Sequence, residues 1–257
     1  MSEDAPEKKS KKKTVTAALL IIGNEVLSGR TQDANVRFLA VGLNRVGVCL
    51  MEARVIADVE NEIVEAINAL RAKFDYVFTT GGIGPTHDDI TSAAVAKALG
   101  REFGRNAEAE AVLRGHYRPE EIPESRLRMA DMPEGAELID NPVSRAPGFR
   151  IENVIVMPGV PSIMQAMFDG YKHNLVGGDP VQSVSITVSL PEGVMAAPLG
   201  QLQEDHAPVE FGSYPFVRHG QVGTCLVVRS ADEGALQAAA DSLRAMIREM
   251  GGEPMED

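Results

Sequence analysis

The first hundred residues alternate apolar, strand-like segments with segments in which apolar residues recur at helical spacing. Residues 14–22 are nearly all apolar and end at Gly23, which is typical of a strand buried on both faces. Residues 48–56 and 76–80 have the same character, and helical patterns separate the three segments. Because parallel strands need long crossover connections, this alternation predicts an α/β domain whose mainly parallel sheet is covered on both sides.

The connecting segments indicate where the helices lie. Apolar residues recur at helical spacing over residues 36–46, and Asp58 is a candidate N-cap for a second helix. A third helix begins near Ile90 and stops at Gly100, and residues 105–133 also favour helix. The predicted order of the first hundred residues is therefore β-α-β-α-β-loop-α.

The pattern changes after residues 177–180, where two glycines, an aspartate and a proline indicate a linker. Residues 184–188 then alternate apolar side chains with Ser and Thr, as in a strand with one exposed face. We therefore predict a disordered basic tail at residues 1–13, an α/β domain at residues 14–176, and a small α+β domain of β-α-β-β-α order at residues 181–252.

Charge and composition exclude several classes of protein. The net charge of −12 argues against nucleic-acid binding, because contacts to the phosphate backbone dominate that affinity. No apolar stretch approaches the length of a membrane span, and the N-terminal residues lack the apolar core of a signal peptide. With only two cysteines, Cys49 and Cys225, a disulfide framework is not expected. We therefore expect a cytoplasmic protein that binds neither nucleic acid nor a membrane.

A glycine-rich loop follows the third predicted strand. Gly81, Gly82 and Gly84 stand at the carboxyl end of a parallel strand, where open α/β sheets bind ligands. Glycine lets backbone amides approach an anion closely, and the following helix adds its N-terminal dipole. The loop is neither a P-loop nor a dinucleotide fingerprint, since Pro85-Thr86 and His87 stand where those motifs need Lys-Ser/Thr and Gly. It therefore predicts a phosphate or oxyanion site of another type.

Two adjacent aspartates, Asp88 and Asp89, follow the glycines. Two carboxylates would repel a phosphate, whereas Mg²⁺ or another divalent metal between them takes oxygen ligands from both sides and polarises the phosphoryl group. Thr86 and Thr91 could add hydroxyl ligands or hydrogen bonds. The alternative is that one aspartate only caps the next helix. We predict that Asp88 and Asp89 hold the metal and act in catalysis.

Other segments follow predicted strands and are therefore expected at the same edge of the sheet. Glu25 could receive a ligand hydroxyl or ring nitrogen, although a plain turn explains its segment equally well. Asp58 could act in the site or cap a helix, and residues 158–161, which follow a predicted strand at residues 154–157, could wall the pocket or form a rigid turn. Independently of this edge, Arg145 in the loop at residues 141–148 could reach a phosphate or remain solvated. Besides the loop glycines and Thr86, the candidate ligand-binding residues are Gly23, Glu25, Arg145, Pro158 and Gly159.

The string from Thr79 to Thr91 resembles the signature of the MoaB/Mog domain of molybdenum-cofactor biosynthesis. Its two aspartates resemble the N-terminal domain of the competence/damage-inducible protein CinA. Residues 23–29, 141–149 and 158–161 support this resemblance, which covers about residues 14–170 and implies a three-layer α/β/α fold. The chain after residue 180 more loosely resembles the small domain of CinA-like proteins and of the pterin-binding-like half of eukaryotic FAD synthases.

This resemblance also implies a function. Mog-type proteins carry out Mg-dependent adenylylation of molybdopterin, and their functional acidic residues match Asp89 and Asp58. CinA-like relatives are associated with cleavage of nucleotide pyrophosphates such as ADP-ribose or FAD, and Asp88 in place of a basic residue favours that chemistry. The family implies a pterin or nucleotide pyrophosphate as ligand and a homo-oligomer. Non-catalytic molybdopterin binding, an adenylyltransferase and a scaffold without a working site remain open alternatives.

Overall fold

The structure, a computed structural model, describes residues 14–118, 122–218 and 220–256. The chain divides into two compact units, with the boundary between Gly178 and Asp179. Each unit has its own hydrophobic core. The tail predicted at residues 1–13 lies outside the described residues.

The first unit contains a large sheet, a two-stranded sheet and the helices that connect their strands. Its strands are β1 (Val15–Ile22), β2 (Val48–Ile56), β3 (Tyr76–Thr80), β4 (Phe103–Arg105), β5 (Asp131–Pro133), β6 (Glu137–Ile139), β7 (Gly148–Ile151) and β8 (Val154–Met157). Its helices are α1 (Asn24–Leu27), α2 (Asn35–Arg45), α3 (Glu60–Lys73), α4 (Thr91–Leu99), α5 (Ala107–His116), α6 (Glu124–Leu127) and α7 (Pro161–Tyr171).

The large sheet has the strand order β2-β1-β3-β8-β7-β6. Strand β1 pairs in parallel with β2 and β3, and β3 pairs in parallel with β8, whereas β7 is antiparallel to both β8 and β6. The chain passes from β1 outward to β2 and then returns to β3 on the other side of β1. The strand order therefore reverses between β1 and β3, which is where open α/β sheets form a ligand-binding crevice.

Helices cover both faces of this sheet, because alternate residues of its central strands point to opposite sides. Ala18 and Leu20 of β1 belong to the core formed with α3 and α4, whereas Leu19 and Ile21 belong to the core formed with α2 and α7. Strand β1 is thus apolar on both faces, as the unbroken run of apolar residues indicated. The predicted three-layer α/β/α fold with a mainly parallel sheet is confirmed.

The segment at residues 105–133 was only partly predicted. It contains α5 and α6, but its ends contribute to β4 and β5, which pair with each other in an antiparallel sheet. Strands β6 and β7 were also not predicted. These four strands are three or four residues long, and such short segments show no periodicity that separates a strand from a loop.

The second unit is the predicted small α+β domain. Its elements are β9 (Gln182–Val188), α8 (Glu192–Asp205), β10 (Glu210–Arg218), β11 (Gln221–Ser230), α9 (Glu233–Glu249) and β12 (Met255–Glu256). The sheet has the order β10-β11-β9-β12 and is antiparallel throughout. The β-α-β-β-α order is confirmed, with the two-residue strand β12 added after α9. Among the helices of the described residues, none has the length and apolar character to span a bilayer.

Candidate functional site

Four loops meet at the carboxyl edge of the parallel strands. Two backbone hydrogen bonds connect them: the Gly23 amide donates to the carbonyl of Ile56 at 3.1 Å, and the Gly81 amide donates to the carbonyl of Met157 at 3.2 Å. The structure therefore brings to one edge the segments that the sequence analysis singled out separately. These segments begin at Gly23 after β1, at Ala57 after β2, at Gly81 after β3 and at Pro158 after β8.

Gly81 lies where β1 and β3 leave no room for a side chain. Its φ is 104°, and a Cβ atom at this position would lie 2.1 Å from the carbonyl oxygen of Ile22. From the β8 loop, a Cβ atom on Gly159 would lie 3.3 Å from the Cα of Gly81. Thr91 closes the turn from the start of α4, because its hydroxyl donates to the Gly81 carbonyl at 3.0 Å and its amide donates to the Gly82 carbonyl at 3.0 Å. Of the two roles suggested for the Thr91 hydroxyl, metal ligand or hydrogen bond, the structure shows the hydrogen bond, and the residue is fully buried.

The amides of Gly82, Ile83 and Gly84 are the part of the loop that is open to an anion. Within the described ranges, none of these three amides donates a hydrogen bond. The amide of Gly81 differs, because Met157 already accepts its hydrogen bond. Successive backbone amides of this kind bind phosphate and carboxylate groups. The anion cradle stays a prediction, and of the loop amides those of Gly82, Ile83 and Gly84 remain available for it.

Asp88 and Asp89 converge on a single hydroxyl group. The Oγ1 atom of Thr86 lies 2.5 Å from Oδ1 of Asp88 and 2.6 Å from Oδ2 of Asp89. The same Oδ2 atom accepts a hydrogen bond from the Thr86 amide at 2.8 Å. A hydroxyl has one proton, so it can donate to only one of the two carboxylates at a time. The arrangement holds two negative charges side by side, and a divalent cation would relieve their repulsion.

Neither aspartate caps the helix that follows. Helix α4 begins at Thr91, and its N-cap residue, Ile90, makes no capping hydrogen bond with its side chain. The carboxylate of Asp89 instead points back into the loop, where a Cβ atom on Gly84 would lie 2.7 Å from its Oδ2 atom. The helix-cap interpretation of Asp88 and Asp89 is therefore wrong.

The chemistry of the acidic pair fits a metal that is shared with a ligand. The hydrogen bond from the Thr86 hydroxyl, a backbone amide and the charge of His87 lower the pKa of Asp88. Its side chain is 63% exposed, so an ionised carboxylate is accessible at neutral pH. In the described part of the chain, no cluster of three or more His, Cys, Asp or Glu residues could hold a metal. Mg²⁺ commonly uses one or two carboxylates and completes its shell with phosphate oxygens and water.

Asp58 connects the loops that follow β1 and β2. Its Oδ2 atom accepts a hydrogen bond from the amide of Asn24 at 2.8 Å. Helix α3 begins at Glu60, and its N-cap residue, Val59, provides no side-chain hydrogen bond. The prediction that Asp58 caps this helix is therefore wrong, because its carboxylate is directed at the first turn of α1 instead.

A cavity of about 30 Å³ lies between the β1 loop, the end of β3 and the β8 loop. Glu25 lines it, and its carboxylate is folded beside Gly23, where a Cβ atom would lie 2.6 Å from both Oε atoms. Asn35 and Thr80 also line it, although the sequence analysis missed both residues. Asn35 could have been found, because it lies one helical turn before Leu39 on the buried stripe of α2. The aspartates of the metal prediction are not among the residues that line this cavity.

Pro158 and Gly159 form the turn that leads into α7, which has proline at its first position. The carbonyl of Gly159 accepts a hydrogen bond from Nδ2 of Asn35 at 2.9 Å, and Gly159 also lines the cavity. The segment is thus a turn that also lines this cavity, and its contact with a bound ligand stays a prediction.

Arg145 lies in the loop between β6 and β7. This loop is at the same edge of the sheet, because β7 runs antiparallel to β8 and begins where β8 ends. The guanidinium group is exposed, and its Nη1 atom lies 3.5 Å from Oδ1 of Asp140. A contact between Arg145 and a phosphate therefore stays a prediction, and the phosphate would have to compete with Asp140.

Comparison with known protein families and structures reveals two successive matches along the chain. Residues 18–176 match the family described as "Probable molybdopterin binding domain", and residues 180–253 match "FAD synthase, middle domain". The crystal structure of the protein CinA from Thermoplasma acidophilum, described as of unknown function, is 32% identical and superposes with a TM-score of 0.59. The match covers 63% of this chain and 99% of that one.

Two relatives illustrate how far this similarity extends. A protein of Pyrobaculum calidifontis is 39% identical over 211 residues, which are 78% of this chain and 80% of that protein. A Caenorhabditis elegans protein described as "Probable FAD synthase" is 30% identical over 258 residues. That match covers 90% of this chain but 50% of the nematode protein.

Proposed function

Since the chain belongs to the molybdopterin-binding-domain family, we propose that it binds the pyrophosphate of a pterin or nucleotide with a divalent metal and hydrolyses it. The family membership supports a small pterin-like ligand. The resemblance to MoaB/Mog and CinA proteins inferred from the loop is confirmed by the family match and by the structural similarity. The metal, the nucleotide and the hydrolysis are the proposed part.

One observation carries the proposal: an acidic pair and a row of open amides occur in the same loop at the reversal of strand order. The amides of Gly82, Ile83 and Gly84 would donate to phosphate oxygens, and Asp88 and Asp89 would hold the metal that these oxygens also ligate. The loop thereby combines positive backbone dipoles and negative side chains, which is the combination that a metal–diphosphate complex requires.

The proposed reaction joins a water oxygen to one phosphorus and breaks the bond from the bridging oxygen to that phosphorus. Two phosphate monoesters leave, and the two protons of the water pass to the products. A bound divalent metal would polarise the phosphoryl oxygen. The loop amides would stabilise charge on the phosphoryl oxygens, and the carboxylate of Asp58, in the loop that follows β2, would orient a ligand group or the water.

The test is the substitution Asp89→Asn. Asparagine keeps an oxygen that can accept the hydrogen bonds from Thr86 but removes one of the two charges. A charge and a divalent ion at about 4 Å attract by about 2 kcal/mol when solvent-screened, so Mg²⁺ affinity should fall roughly thirtyfold. Release of mononucleotide from FAD or ADP-ribose should be abolished, while the circular dichroism spectrum stays unchanged.

Asp205→Asn is the matched control. It removes one carboxylate charge from the second unit, where Asp205 accepts a hydrogen bond from Gln201 at the end of α8. This variant should bind Mg²⁺ and turn over like the original protein. Undiminished, metal-dependent hydrolysis by Asp89→Asn would refute the assigned role of this residue.

A second candidate function is metal-dependent binding without hydrolysis. Among the described residues, Asp88 and Asp89 have no third His, Cys, Asp or Glu beside them that could hold a metal. This favours a site in which the bound nucleotide or pterin itself supplies the remaining ligands of the metal. Calorimetry that detects Mg²⁺-dependent binding of FAD or ADP-ribose without product release would favour this function. An adenylyltransferase would instead consume ATP when molybdopterin is supplied.

We also propose, from the family resemblance, that the protein forms a homo-oligomer in the cytoplasm. Light scattering coupled to size-exclusion chromatography tests the oligomeric state, and fractionation of cells tests the location. A monomer at micromolar concentration would contradict the first of these two proposals.

A further inference from the structure

Two of the residues that line the cavity carry a buried polar atom without a partner. Asn35 is 3% exposed and Thr80 is 1% exposed, and both residues line the cavity of about 30 Å³. Oδ1 of Asn35 and Oγ1 of Thr80 have no hydrogen-bond partner among the described residues. Buried polar atoms are nearly always paired, because leaving them unpaired is costly. These two atoms therefore indicate that something else enters the cavity.

The hydrogen bonds of Asn35 show which atom of its side-chain amide is available for a ligand. Its Nδ2 atom donates to the carbonyl of Gly159, so its oxygen is the atom left without a partner. Its backbone amide and that of Val36 both donate to Oδ1 of Asp33. The two groups available for hydrogen bonds at the cavity are thus the neutral side-chain oxygen of Asn35, which accepts, and the hydroxyl of Thr80. This pair matches a group that donates a hydrogen bond, such as a hydroxyl or an amine.

The position of the cavity connects it to the proposed pyrophosphate site. Thr80 directly precedes the glycine-rich loop, and Glu25 and Gly159 lie on two of the other loops that meet at this edge. A volume of about 30 Å³ holds one group of the size of a water molecule. We propose that the cavity is a specificity subsite, in which Asn35 and Thr80 bind one hydroxyl or amino group of the pyrophosphate-bearing ligand. This inference rests on the proposed function.

The substitution Thr80→Val separates this role from a structural one. Valine has the same shape, and the hydroxyl that it removes has no partner in the protein. The unliganded variant should therefore be at least as stable as the original protein, because a buried unpaired hydroxyl is removed. Binding of FAD and ADP-ribose in the presence of Mg²⁺ should nevertheless weaken about ten- to hundredfold.

Thr79→Val is the matched control. Thr79 is the preceding residue of β3, is fully buried, and also has an unpaired hydroxyl. Because successive side chains of a strand point to opposite faces, Thr79 faces the α3 and α4 side, away from the cavity. The control should gain the same stability and keep its ligand affinity.

Ligand analogues identify the group that enters the cavity. ADP, 2′-deoxy-ADP, 3′-deoxy-ADP and IDP differ in a ribose hydroxyl or in the amine of the base. The analogue that lacks the entering group should bind the original protein weakly and should be insensitive to Thr80→Val, so the two changes are not additive.

The outcomes separate the two proposals. If the original protein binds neither FAD, ADP-ribose nor any of these analogues in the presence of Mg²⁺, the nucleotide form of the proposed function fails and this inference fails with it. If the original protein binds them and Thr80→Val binds them equally well, only the subsite is refuted, and the cavity holds no more than water.

Discussion

Replacing Gly81 with alanine should unfold the edge of the sheet on which the candidate site depends. Gly81 has a φ of 104°, and the added Cβ atom would lie 2.1 Å from the carbonyl oxygen of Ile22. Real Cβ atoms essentially never come within 3.0 Å of such a neighbour. Ile22 cannot move aside easily, since β1 is hydrogen-bonded to β2 on one side and to β3 on the other.

Two effects set the size of the loss. A positive φ costs an L-residue about 1–2 kcal/mol, and overpacking of a rigid interior costs about 1–3 kcal/mol. We therefore expect Gly81→Ala to lower the free energy of unfolding of the first unit by about 2–5 kcal/mol, which is a large part of the roughly 5–15 kcal/mol that domains possess. Ligand binding at the adjacent loop should be lost together with this stability.

Gly100→Ala is the control for backbone strain alone. Gly100 ends α4 with a φ of 63°, and an added Cβ atom there would meet no atom within 4 Å. This variant should lose only about 1–2 kcal/mol. Native-state hydrogen exchange of the β1 amides measures the stability of the first unit separately from the second. Equal losses in Gly81→Ala and Gly100→Ala would refute the close approach of β1 and β3 at this position.

Two further predictions concern the carboxylates. The largest cause of the lowered pKa of Asp88 is the hydrogen bond from Thr86, so Thr86→Val should raise this pKa toward its ordinary value. A carboxylate with a lowered pKa stabilises the fold above its unfolded pKa and loses that contribution as the pH falls through its folded pKa. Because a protonated carboxyl group does not hold Mg²⁺, acid-induced loss of Mg²⁺ binding should also begin at higher pH in Thr86→Val. Titration by carboxyl NMR measures both effects, with Glu110, whose pKa is lowered by Arg114, as the internal control. Separately, Asp58→Ala should cost about 1 kcal/mol and speed hydrogen exchange at the Asn24 amide, whereas Asp58→Asn retains an acceptor and should protect it. Unchanged exchange in Asp58→Ala would show that this hydrogen bond does not form in solution.

The strands and helices of the parallel part of the sheet were predicted well, because their secondary structure is determined by residues within each segment. The strand at residues 76–80 was predicted with its observed bounds, since its aromatic and β-branched residues favour a strand and the glycines that follow end it. Helix α4 was predicted to end at Gly100, which adopts the left-handed conformation that few other residues tolerate. The short strands β6 and β7 were missed, because they are held by their neighbours in the sheet rather than by their own pattern.

Within the candidate site, the proximity of residues that are close in sequence could be predicted, whereas the metal that they would hold stays a prediction. Thr86, Asp88 and Asp89 lie within four residues of one another, and their contacts depend on the local turn. For Asp58 only the helix-cap alternative failed, because whether its carboxylate caps α3 or accepts from the Asn24 amide depends on how β1 and β2 pair; its role in the site stays a prediction.

The sequence by itself determined the class of fold, the linker between the units and the loop that carries the proposed chemistry. These features follow from the period of apolar residues and from the conformations open to glycine, both of which are local properties. Only the tertiary structure revealed that Asn35 reaches the carbonyl of Gly159, 124 residues away, and shares a cavity with Thr80. Such contacts depend on the order of the strands in the sheet. That order is set by which crossovers bury the most apolar surface, and no single segment contains this information.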